Sequence, residues 1–234
     1  MSALPLLDNE YPVFPNPEMA LEEPNGLLAV GGNLSQRTLL DAYQQGIFPW
    51  YEDGQPLLWW SPNPRTVIFP ESIHVSRSLK KTLRNKPWEI RINTVFEQVT
   101  THCASPREGQ PSTWITQEMK KAYLGLHHSG HAHSLEVWLD NVLAGGLYGV
   151  LVGGVFCGES MFSLERDASK IALVQLSLIL KQYTQTGFID CQVSNNHLCS
   201  MGAIEIPRSD FIAKLIRLRD MHPFWPQQWL CKIP

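Results

Sequence analysis

The stretch ASKIALVQLSLILKQYTQTGFIDCQV, residues 168–193, decides the fold of this chain. Its first part is apolar with helical spacing and predicts a long helix over about 168–186, which ends at Gly187. Its second part, residues 188–193, is a short apolar run and predicts a strand. A long helix that leads directly into a strand is typical of a crossover connection within a sheet.

An antiparallel meander is predicted before this helix. Turn signals at Asp140-Asn141 and Gly153-Gly154 separate three strands, near 132–139, 142–151 and 154–159. The chain is therefore predicted to be α+β, with a mostly antiparallel sheet, flanking helices, and a later strand joined through the crossover helix.

The N-terminal region has a different composition. It is rich in proline, glycine and aromatic residues, and WWSPNPR at 59–65 marks its end. We place a boundary here, between a small N-terminal α+β domain, 1–62, and a larger domain, 63–234. Within the first domain Ser35 is expected to cap a helix that Gly46 terminates.

The composition excludes several classes of protein. The chain has 234 residues, of which 44% are apolar and 18% charged, so it can bury real cores. No apolar stretch approaches the roughly 18 to 20 residues that cross a bilayer, and the N-terminus does not resemble a signal peptide, so a cytoplasmic protein is expected. The five cysteines form no C-x-x-C pair, which predicts free thiols. A net charge of -3 argues against indiscriminate nucleic-acid binding.

Two polar residues lie on the strand at 188–193. Regular alternation along a strand predicts that Asp190 and Gln192 share one face and act as neighbours. Polar groups on an otherwise apolar strand cost free energy unless they are paired or functional. The pair is therefore either a satisfied buried network or part of a site.

The segment GGVFCGESMFS, residues 153–163, combines glycines with apolar side chains and one carboxylate. Phe156, Glu159 and Met161 would suit a substrate pocket beside a glycine-relieved backbone. The alternative is a strand edge in which Phe156 and Met161 belong to the core and Glu159 is solvated.

The helix predicted for SRSLKKTLRN, residues 76–85, places four cations on one face. Arg77, Lys80, Lys81 and Arg84 follow the i, i+3, i+4, i+7 spacing that brings side chains together on a helix. Such crowding favours a phosphate-binding face, although a solvated helix face has the same pattern.

Other motifs of catalysis are missing from the sequence. It contains no phosphate-binding G-x-x-x-x-G-K-[ST] loop and no G-x-S-x-G nucleophile motif. Histidines cluster only over 127–133, without Cys, Asp or Glu at a metal-ligand spacing. Acyl chemistry on this chain would need a substrate that arrives already activated, and we expect no metal or other cofactor.

A series of motifs resembles a known family. PNGLLAVGGNLS, LLDAYQQGIFPWY, WWSPNPR, STWIT, HAHSLEVW, LAGGLYGV, FCGESMFS, ASKIAL and FIDCQVSNNHLCSMGA resemble successive segments of bacterial leucyl/phenylalanyl-tRNA-protein transferases, over about residues 22–207. The resemblance implies a small N-terminal domain followed by a GNAT-like catalytic domain. It also implies transfer of leucine, phenylalanine or methionine from aminoacyl-tRNA to the N-terminal α-amine of proteins that begin with arginine or lysine. Such transfer marks the acceptors for N-degron proteolysis, and the enzyme is expected to be a monomer that contacts no membrane.

The resemblance also assigns roles to individual residues. It places Asp190 and Gln192 at the reaction centre. It assigns the substrate pocket to Leu147, Phe156, Glu159, Met161, Leu176 and Asn195, and tRNA binding to Trp50, Arg77, Lys80, Lys81, Arg84 and Trp114. The chain departs from the family at Asn33, where an aspartate is usual, and at Leu147 and Leu176, where some relatives carry Met and Phe.

The mechanism implied by the resemblance needs little covalent chemistry from the protein. An aminoacyl ester is already activated, so a neutral α-amine must attack it, the oxyanion must be stabilised, and a proton must leave. Gln192 would position the amine or ester, and Asp190 would orient Gln192. Either Asp190 or the ribose hydroxyl next to the ester could handle the proton.

Three other functions were weighed against this one. An acyl-CoA N-acetyltransferase should carry a Q/R-x-x-G-x-G/A motif before its long helix, where this chain has RDASKIAL. A noncatalytic tRNA-binding module would not need Asp190 and Gln192. A peptidyltransferase of cell-wall cross-bridges would share the fold and the donor, but none of the motifs quoted above indicates it.

Overall fold

The chain folds around two β-sheets, one small and one large. The computed structural model describes residues 4–105, 114–184, 186–222 and 225–226, together with the backbone of 229–232. Within these residues the chain leaves the small sheet after Trp60 and enters the large sheet at Arg65.

The small sheet has the strand order β1-β2-β4-β3. Its strands are β1 (Leu6–Leu7), β2 (Leu27–Gly31), β3 (Phe48–Pro49) and β4 (Leu58–Trp60). Helix α1 (Gln36–Gln44) lies between β2 and β3, and the Ser35 hydroxyl accepts a hydrogen bond from Thr38 N at its start, as predicted. Gly46 has a φ of 78°, and a Cβ atom there would lie 2.8 Å from Phe211, so the turn after α1 requires glycine.

The large sheet has the strand order β11-β5-β10-β9-β8-β7-β6-β12. Its strands are β5 (Arg65–Ile68), β6 (Trp88–Ile92), β7 (Ala132–Leu139), β8 (Val142–Val152), β9 (Val155–Ser163), β10 (Phe188–Gln192), β11 (Ile204–Ile206) and β12 (Trp229–Lys232). Strands β9 and β10 pair in parallel, and the other pairs of this sheet are antiparallel.

Helices cover both faces of the large sheet. They are α2 (Arg77–Asn85), α3 (Phe96–Cys103), α4 (Gln117–His128), α5 (Ala168–Thr184), α6 (Asn196–Ser200) and α7 (Arg208–Leu218). One hydrophobic cluster packs α5 against β7, β8 and β9, with Leu79 of α2 among its members. A second cluster lies on the other face and joins α3, α4 and α7 to residues of the small sheet such as Trp59.

The predicted fold class is confirmed. The structure is α+β, and the parallel connection from β9 to β10 runs through α5, which is the predicted crossover helix. This order of elements agrees with the GNAT-like domain that the resemblance implies. None of the helices in the described segments is both long and apolar enough to cross a membrane.

The sequence patterns missed several features, including strands β1, β2 and β4 of the small sheet. Strand β9 continues to Ser163, beyond the predicted end near 159, because Ser160–Ser163 still pair with β8 although their sequence does not alternate cleanly. The one-turn helix α6 and the edge strand β12 were not predicted. Both are short, and short elements depend on tertiary packing more than on local propensity.

Candidate active site

A cavity of about 790 Å³ opens where β9 and β10 diverge. These strands pair only as far as Cys157 and Asp190. Beyond that point β9 remains paired only with β8, and β10 turns away into the segment before α6. The gap between the two strands is the cavity, and helix α5 contributes Ser169, Leu173 and Leu176 to its wall.

A β-bulge positions Glu159 on the β9 side of the cavity. Gly149 of β8 lies opposite Gly158, whereas its neighbour Tyr148 lies opposite Ser160, so Glu159 is the extra residue. A Cβ atom on Gly149 would lie 2.2 Å from the Cys157 carbonyl oxygen, which explains why the partner strand has glycine here. Bulges of this kind change the direction of a side chain beside a site.

A second bulge positions Gln192 on the β10 side. Asp190 lies opposite Val67 and Gln192 opposite Thr66, so Cys191 is the extra residue, and Gln192 has a φ of 56°. The expectation that Asp190 and Gln192 share one strand face is therefore wrong. Gln192 lines the cavity, as do Cys191 and Ile189. Asp190 is fully buried and points to the other side of the strand, toward Arg65.

Asp190 belongs to a buried ion pair. The Arg65 guanidinium donates from Nε to Oδ1 at 2.8 Å and from Nη2 to Oδ2 at 2.7 Å. Arg65 also donates to the Gly46 carbonyl oxygen at 3.1 Å and lies over the Phe211 ring. The Gln192 main-chain N–H donates to Asp190 Oδ1 at 3.0 Å. Asp190 therefore links the main-chain N–H of Gln192 to the Arg65 side chain. The charge-assisted bonds from Arg65 to Asp190 stabilise this arrangement.

Glu159, unlike Asp190, accepts hydrogen bonds from neutral side chains. Tyr43 of α1 donates to Oε1 and Tyr123 of α4 donates to Oε2, both at 2.6 Å, and the two phenol oxygens lie 2.6 Å apart. Burial raises the pKa of Glu159 to about 7, although the two phenols oppose the shift. Burial also raises the pKa of both tyrosines, and the nearby Glu159 carboxyl adds to that effect.

Apolar side chains form the other wall. Leu147, Phe156 and Leu176 are buried, and Met161 is partly exposed to the cavity. The Phe156 ring stacks at 5.7 Å on that of Trp225, near the C-terminus, which supports this wall from behind. The wall can accommodate a flexible apolar side chain of moderate size.

The structure brings all six predicted pocket residues together, with two of the other predicted site residues. The predicted residues that line the cavity are Leu147, Phe156, Glu159, Met161, Leu176, Asn195, Gln192 and Trp114. Asn195 also caps α6, where its side chain accepts from Leu198 N at 2.9 Å. Ser112 and Thr113, which precede Trp114 in the STWIT motif, lie outside the described residues.

The remaining predicted residues lie outside the cavity. Trp50 is 44% exposed and packs against Trp60, with ring centroids 5.6 Å apart. Arg77, Lys80, Lys81 and Arg84 are all exposed on α2. Contacts from Thr82 to Asp167 and from Lys86 to Glu165 hold α2 beside the start of α5. The basic helix therefore adjoins the helix that provides Ser169 to the cavity wall.

Sequence patterns missed three residues of the site. Arg65 ends the boundary motif WWSPNPR, and its position at the start of an apolar strand is the signal that indicates a buried counter-ion. Tyr43 and Tyr123 have the spacing of core residues, and nothing in the local sequence indicates that their hydroxyls meet Glu159. Among the described residues no group of three or more His, Cys, Asp and Glu side chains is arranged to hold a metal ion.

Comparisons with known proteins identify the family. The model of the leucyl/phenylalanyl-tRNA protein transferase family matches residues 67–216, and that of its N-terminal domain matches residues 32–63. Leucyl/phenylalanyl-tRNA--protein transferase of Shewanella baltica (strain OS195) is 52% identical, and the alignment covers 99% of this chain and 97% of the relative. The Yersinia pestis (strain Pestoides F) protein of the same name is 51% identical, with 96% and 93% covered.

Among solved structures, L-PGS from Bacillus licheniformis aligns with a TM-score of 0.40 and 8% identity, covering 72% of this chain and 53% of its own. The family match rests on the sequence comparisons, which span both sheets and nearly the whole length of the relatives. The chain belongs to the leucyl/phenylalanyl-tRNA protein transferase family.

Proposed function

We propose that this chain transfers leucine or phenylalanine, and also methionine, from aminoacyl-tRNA to the N-terminal α-amine of proteins that begin with arginine or lysine. The modified proteins would thereby be marked for N-degron proteolysis. The observation that carries the proposal is the cavity between β9 and β10, which combines one apolar wall with Gln192 and Glu159. Membership in the family supports the same reaction.

The apolar wall would hold the side chain of the transferred residue. Phe156 and Leu176 are almost fully buried, and Leu147 and Met161 complete the apolar wall around them. Flexible side chains of leucine, phenylalanine and methionine can fit such a wall. The β-branched side chains of isoleucine and valine present a different shape near the ester, and a pocket excludes shapes more readily than it ranks hydrophobicity.

Gln192 would act on the reacting atoms. Its amide is both a donor and an acceptor, so it can bind the attacking amine and the ester oxygen as the tetrahedral centre forms. Asp190 would serve Gln192 indirectly, because both carboxylate oxygens bind Arg65 and one also accepts the Gln192 N–H. The ion pair would thus fix the bulge that directs Gln192 into the cavity.

The tRNA would lie along the surface beside the cavity. The four cations of α2 are free to bind acceptor-stem phosphates, since no described acidic side chain forms a salt bridge with them. Trp114 lines the cavity and Trp50 is exposed, so either ring can stack on the terminal adenosine.

Opposite charges would attract the acceptor protein to the cavity. Glu159 provides a carboxyl group on the cavity wall, and an N-terminal arginine or lysine brings two positive charges, one on the α-ammonium and one on the side chain. Because the ester is already activated, we propose that the chain needs neither ATP nor a metal, and that it works as a cytoplasmic monomer.

The experiment supplies radiolabelled Leu-tRNA or Phe-tRNA and a polypeptide that begins with arginine or lysine, and follows the label into polypeptide. Two matched controls use Ile-tRNA as the donor and a polypeptide that begins with alanine as the acceptor. We expect rapid transfer of leucine and phenylalanine to the basic acceptors and slow transfer in both controls. Comparable transfer with Ile-tRNA would reject the donor pocket, and comparable transfer to alanine would reject the acceptor preference.

A further inference from the structure

Three side chains from separate elements form a closed ring of short contacts. Tyr43 comes from α1, Tyr123 from α4 and Glu159 from the bulge in β9. Each side chain contacts the other two, and all three oxygen-to-oxygen distances are 2.6 Å. The tyrosines are buried, whereas Glu159 is partly exposed and lines the cavity.

The number of protons in this ring depends on the state of Glu159. A phenol has one O–H to donate, and an ionised carboxylate has none. If Glu159 is ionised, two protons must serve three contacts. Both phenols then donate to the carboxylate, and their own oxygens, 2.6 Å apart, face each other without a proton between them.

A third proton on Glu159 removes this conflict. The carboxyl group then donates to one phenol, that phenol donates to the other, and the second phenol donates back to the remaining carboxyl oxygen. Each of the three contacts then has its own hydrogen. The observed ring thus has the geometry of a protonated Glu159, and an ionised Glu159 in the same place is one proton short.

The surroundings of Glu159 favour uptake of this proton near neutral pH. Burial raises the pKa of Glu159 to about 7. Asp190 raises that pKa further, and Arg65 lowers it. The titratable and charged groups that face Glu159 are Tyr43 on α1, Tyr123 on α4, Tyr148 on β8, Cys157 on β9, Asp190 on β10 and Arg65 on β5.

Other groups near the cavity are poorer proton acceptors. Both oxygens of Asp190 bind Arg65, and Asp190 does not line the cavity. The amide of Gln192 is not basic at neutral pH. Burial raises the pKa of Cys191, which keeps it a neutral thiol. Burial, with help from Lys170, lowers the pKa of His197, which makes its imidazole a weak base.

We propose that Glu159 is a catalytic residue that takes the proton from the α-ammonium of the acceptor, and that Tyr43 and Tyr123 are positioning residues that hold its carboxylate. The inference rests on the proposed function, because it requires an amine acceptor and an aminoacyl ester. An α-ammonium with a pKa of about 7.7 to 8.0 is mostly protonated at pH 7 and cannot attack until it loses a proton.

The step moves two protons and replaces the ester bond with an amide bond. The ammonium gives one proton to the ionised Glu159, which completes the ring, and leaves a neutral amine. The amine nitrogen forms a bond to the ester carbonyl carbon, and the bond from that carbon to the ribose oxygen breaks. The nitrogen loses a second proton, which ends on the released ribose hydroxyl. After the product leaves, Glu159 releases its proton to water.

Glu159→Gln tests the proposal directly. A glutamine amide can accept from one phenol and donate to the other, so it closes the ring without titrating. The experiment measures the single-turnover rate with bound Leu-tRNA and a saturating acceptor that begins with arginine, from pH 5.5 to 8.5. We expect the wild-type rate to rise through an apparent pKa near 7 and then level off. In Glu159→Gln the rate at pH 7 should fall by about 10² or more, and this rise and plateau should disappear.

Tyr43→Phe provides a second variant that does not remove the carboxyl group. It removes one donor to the carboxylate, so the rise in rate should move to higher pH by at least about 0.5 unit. Tyr51→Phe is the matched control, because it also removes a phenol hydroxyl from a buried tyrosine, but that hydroxyl contacts Thr116 and Tyr51 does not line the cavity. Its rate profile should stay that of the wild type.

Two results would overturn the inference. One is a Glu159→Gln protein that retains the wild-type rise near pH 7. The other is a variant whose only defect is a raised KM for acceptors that begin with arginine, since that would make Glu159 a charge-recognition residue alone. Failure of the proposed function looks different: the wild-type protein would then transfer no leucine at any pH.

Discussion

Asp190 and Glu159 are two carboxyl groups on neighbouring strands of one sheet, and they have opposite kinds of partner. Asp190 is fully buried and binds the Arg65 guanidinium with both oxygens. Glu159 opens to the cavity and binds the hydroxyls of Tyr43 and Tyr123. A guanidinium stabilises only the ionised carboxylate, whereas phenols can bond to either form.

The difference separates a carboxyl group in an ion pair from one with uncharged partners. The bond from Gln192 N to Asp190 holds a backbone conformation with positive φ, and Arg65 holds Asp190 in place for it. Glu159 faces the cavity, where the proposed reaction needs a group that gains and loses a proton. Glu159 lies in one β-bulge and Asp190 lies directly before another, but their side-chain partners differ, and these partners give the two carboxyl groups different surroundings.

The largest predicted effect compares isosteric amides at the two positions. Asp190→Asn leaves the buried charge of Arg65 without a counter-ion and should lower the free energy of unfolding by about 3 to 5 kcal/mol. Glu159→Gln at pH 8 should leave the free energy of unfolding unchanged or raise it by about 1 kcal/mol, because it removes a poorly solvated charge. Urea unfolding at pH 8 measures both. Equal destabilisation by the two variants would contradict the distinction.

The same pair has a predicted pH dependence. The pKa of folded Glu159 is raised to about 7, above its value in the unfolded chain. The native state therefore binds this proton more tightly, so Glu159 stabilises the fold below the unfolded pKa and loses that contribution as pH rises through about 7. The stability of Glu159→Gln relative to wild type should increase between pH 5 and 8. A difference that stays constant over this range would show that Glu159 does not titrate there.

Gln192→Ala tests the residue whose backbone Asp190 holds in place. The single-turnover rate should fall by about 10² to 10³, or roughly 3 to 4 kcal/mol, with little change in the KM for aminoacyl-tRNA or in the thermal midpoint. Asp190→Asn should lose both rate and stability, and the double variant should be less than additive in rate. Val193→Ala, at the next position of the cavity wall, is the control. A stable Gln192→Ala protein with a near wild-type rate would remove Gln192 from the mechanism.

The apolar wall of the cavity should set the preference between donors, independently of Asp190 and Glu159. Met161→Ala widens the cavity and should raise the preference for Phe-tRNA over Leu-tRNA by about tenfold, since one methylene in a pocket contributes roughly 1 to 3 kcal/mol. Competition between the two donors measures the ratio. Leu164→Ala changes an exposed apolar residue just after β9 and should leave it unchanged. If both variants alter the ratio equally, the wall does not select the donor.

The smallest effect on stability is expected for the exposed basic side chains of α2. Neutralising Arg77, Lys80, Lys81 and Arg84 together should barely change the thermal midpoint. It should raise the KM for tRNA and reduce the slope of affinity against salt by about 3. A control variant removes four exposed cations of other helices, Arg37, Lys121, Lys181 and Arg217. The same slope in both variants would mean that α2 is only a solvated face.

Much of the fold could be predicted because its signals are local. The period of α5, the Ser35 cap and the turns of the meander each depend on a few neighbouring residues. The extension of β9 and the helix α6 could not be predicted, since both depend on pairing and packing with distant residues. The α+β class was correct because a long apolar helix between strands has few alternative arrangements.

The sequence predicted which residues line the cavity but not how they are arranged around it. The residues of the cavity wall came from motifs that resemble the family, and eight of the predicted residues do line one cavity. The pairing of Asp190 with Gln192 on one face was wrong, because alternation of side chains holds only where no residue is inserted. A bulge depends on the partner strand, and the sequence of β10 alone does not reveal it.

The sequence by itself determined the family, the α+β class and the crossover from α5 to β10, because these depend on local patterns and on ordered motifs. The tertiary structure alone decided that Asp190 is neutralised by Arg65 and that Glu159 is enclosed by Tyr43 and Tyr123. These partners lie 125, 116 and 36 positions apart in the chain. The proton affinity of a carboxyl group depends on its surroundings, and here folding supplies those surroundings from distant parts of the chain.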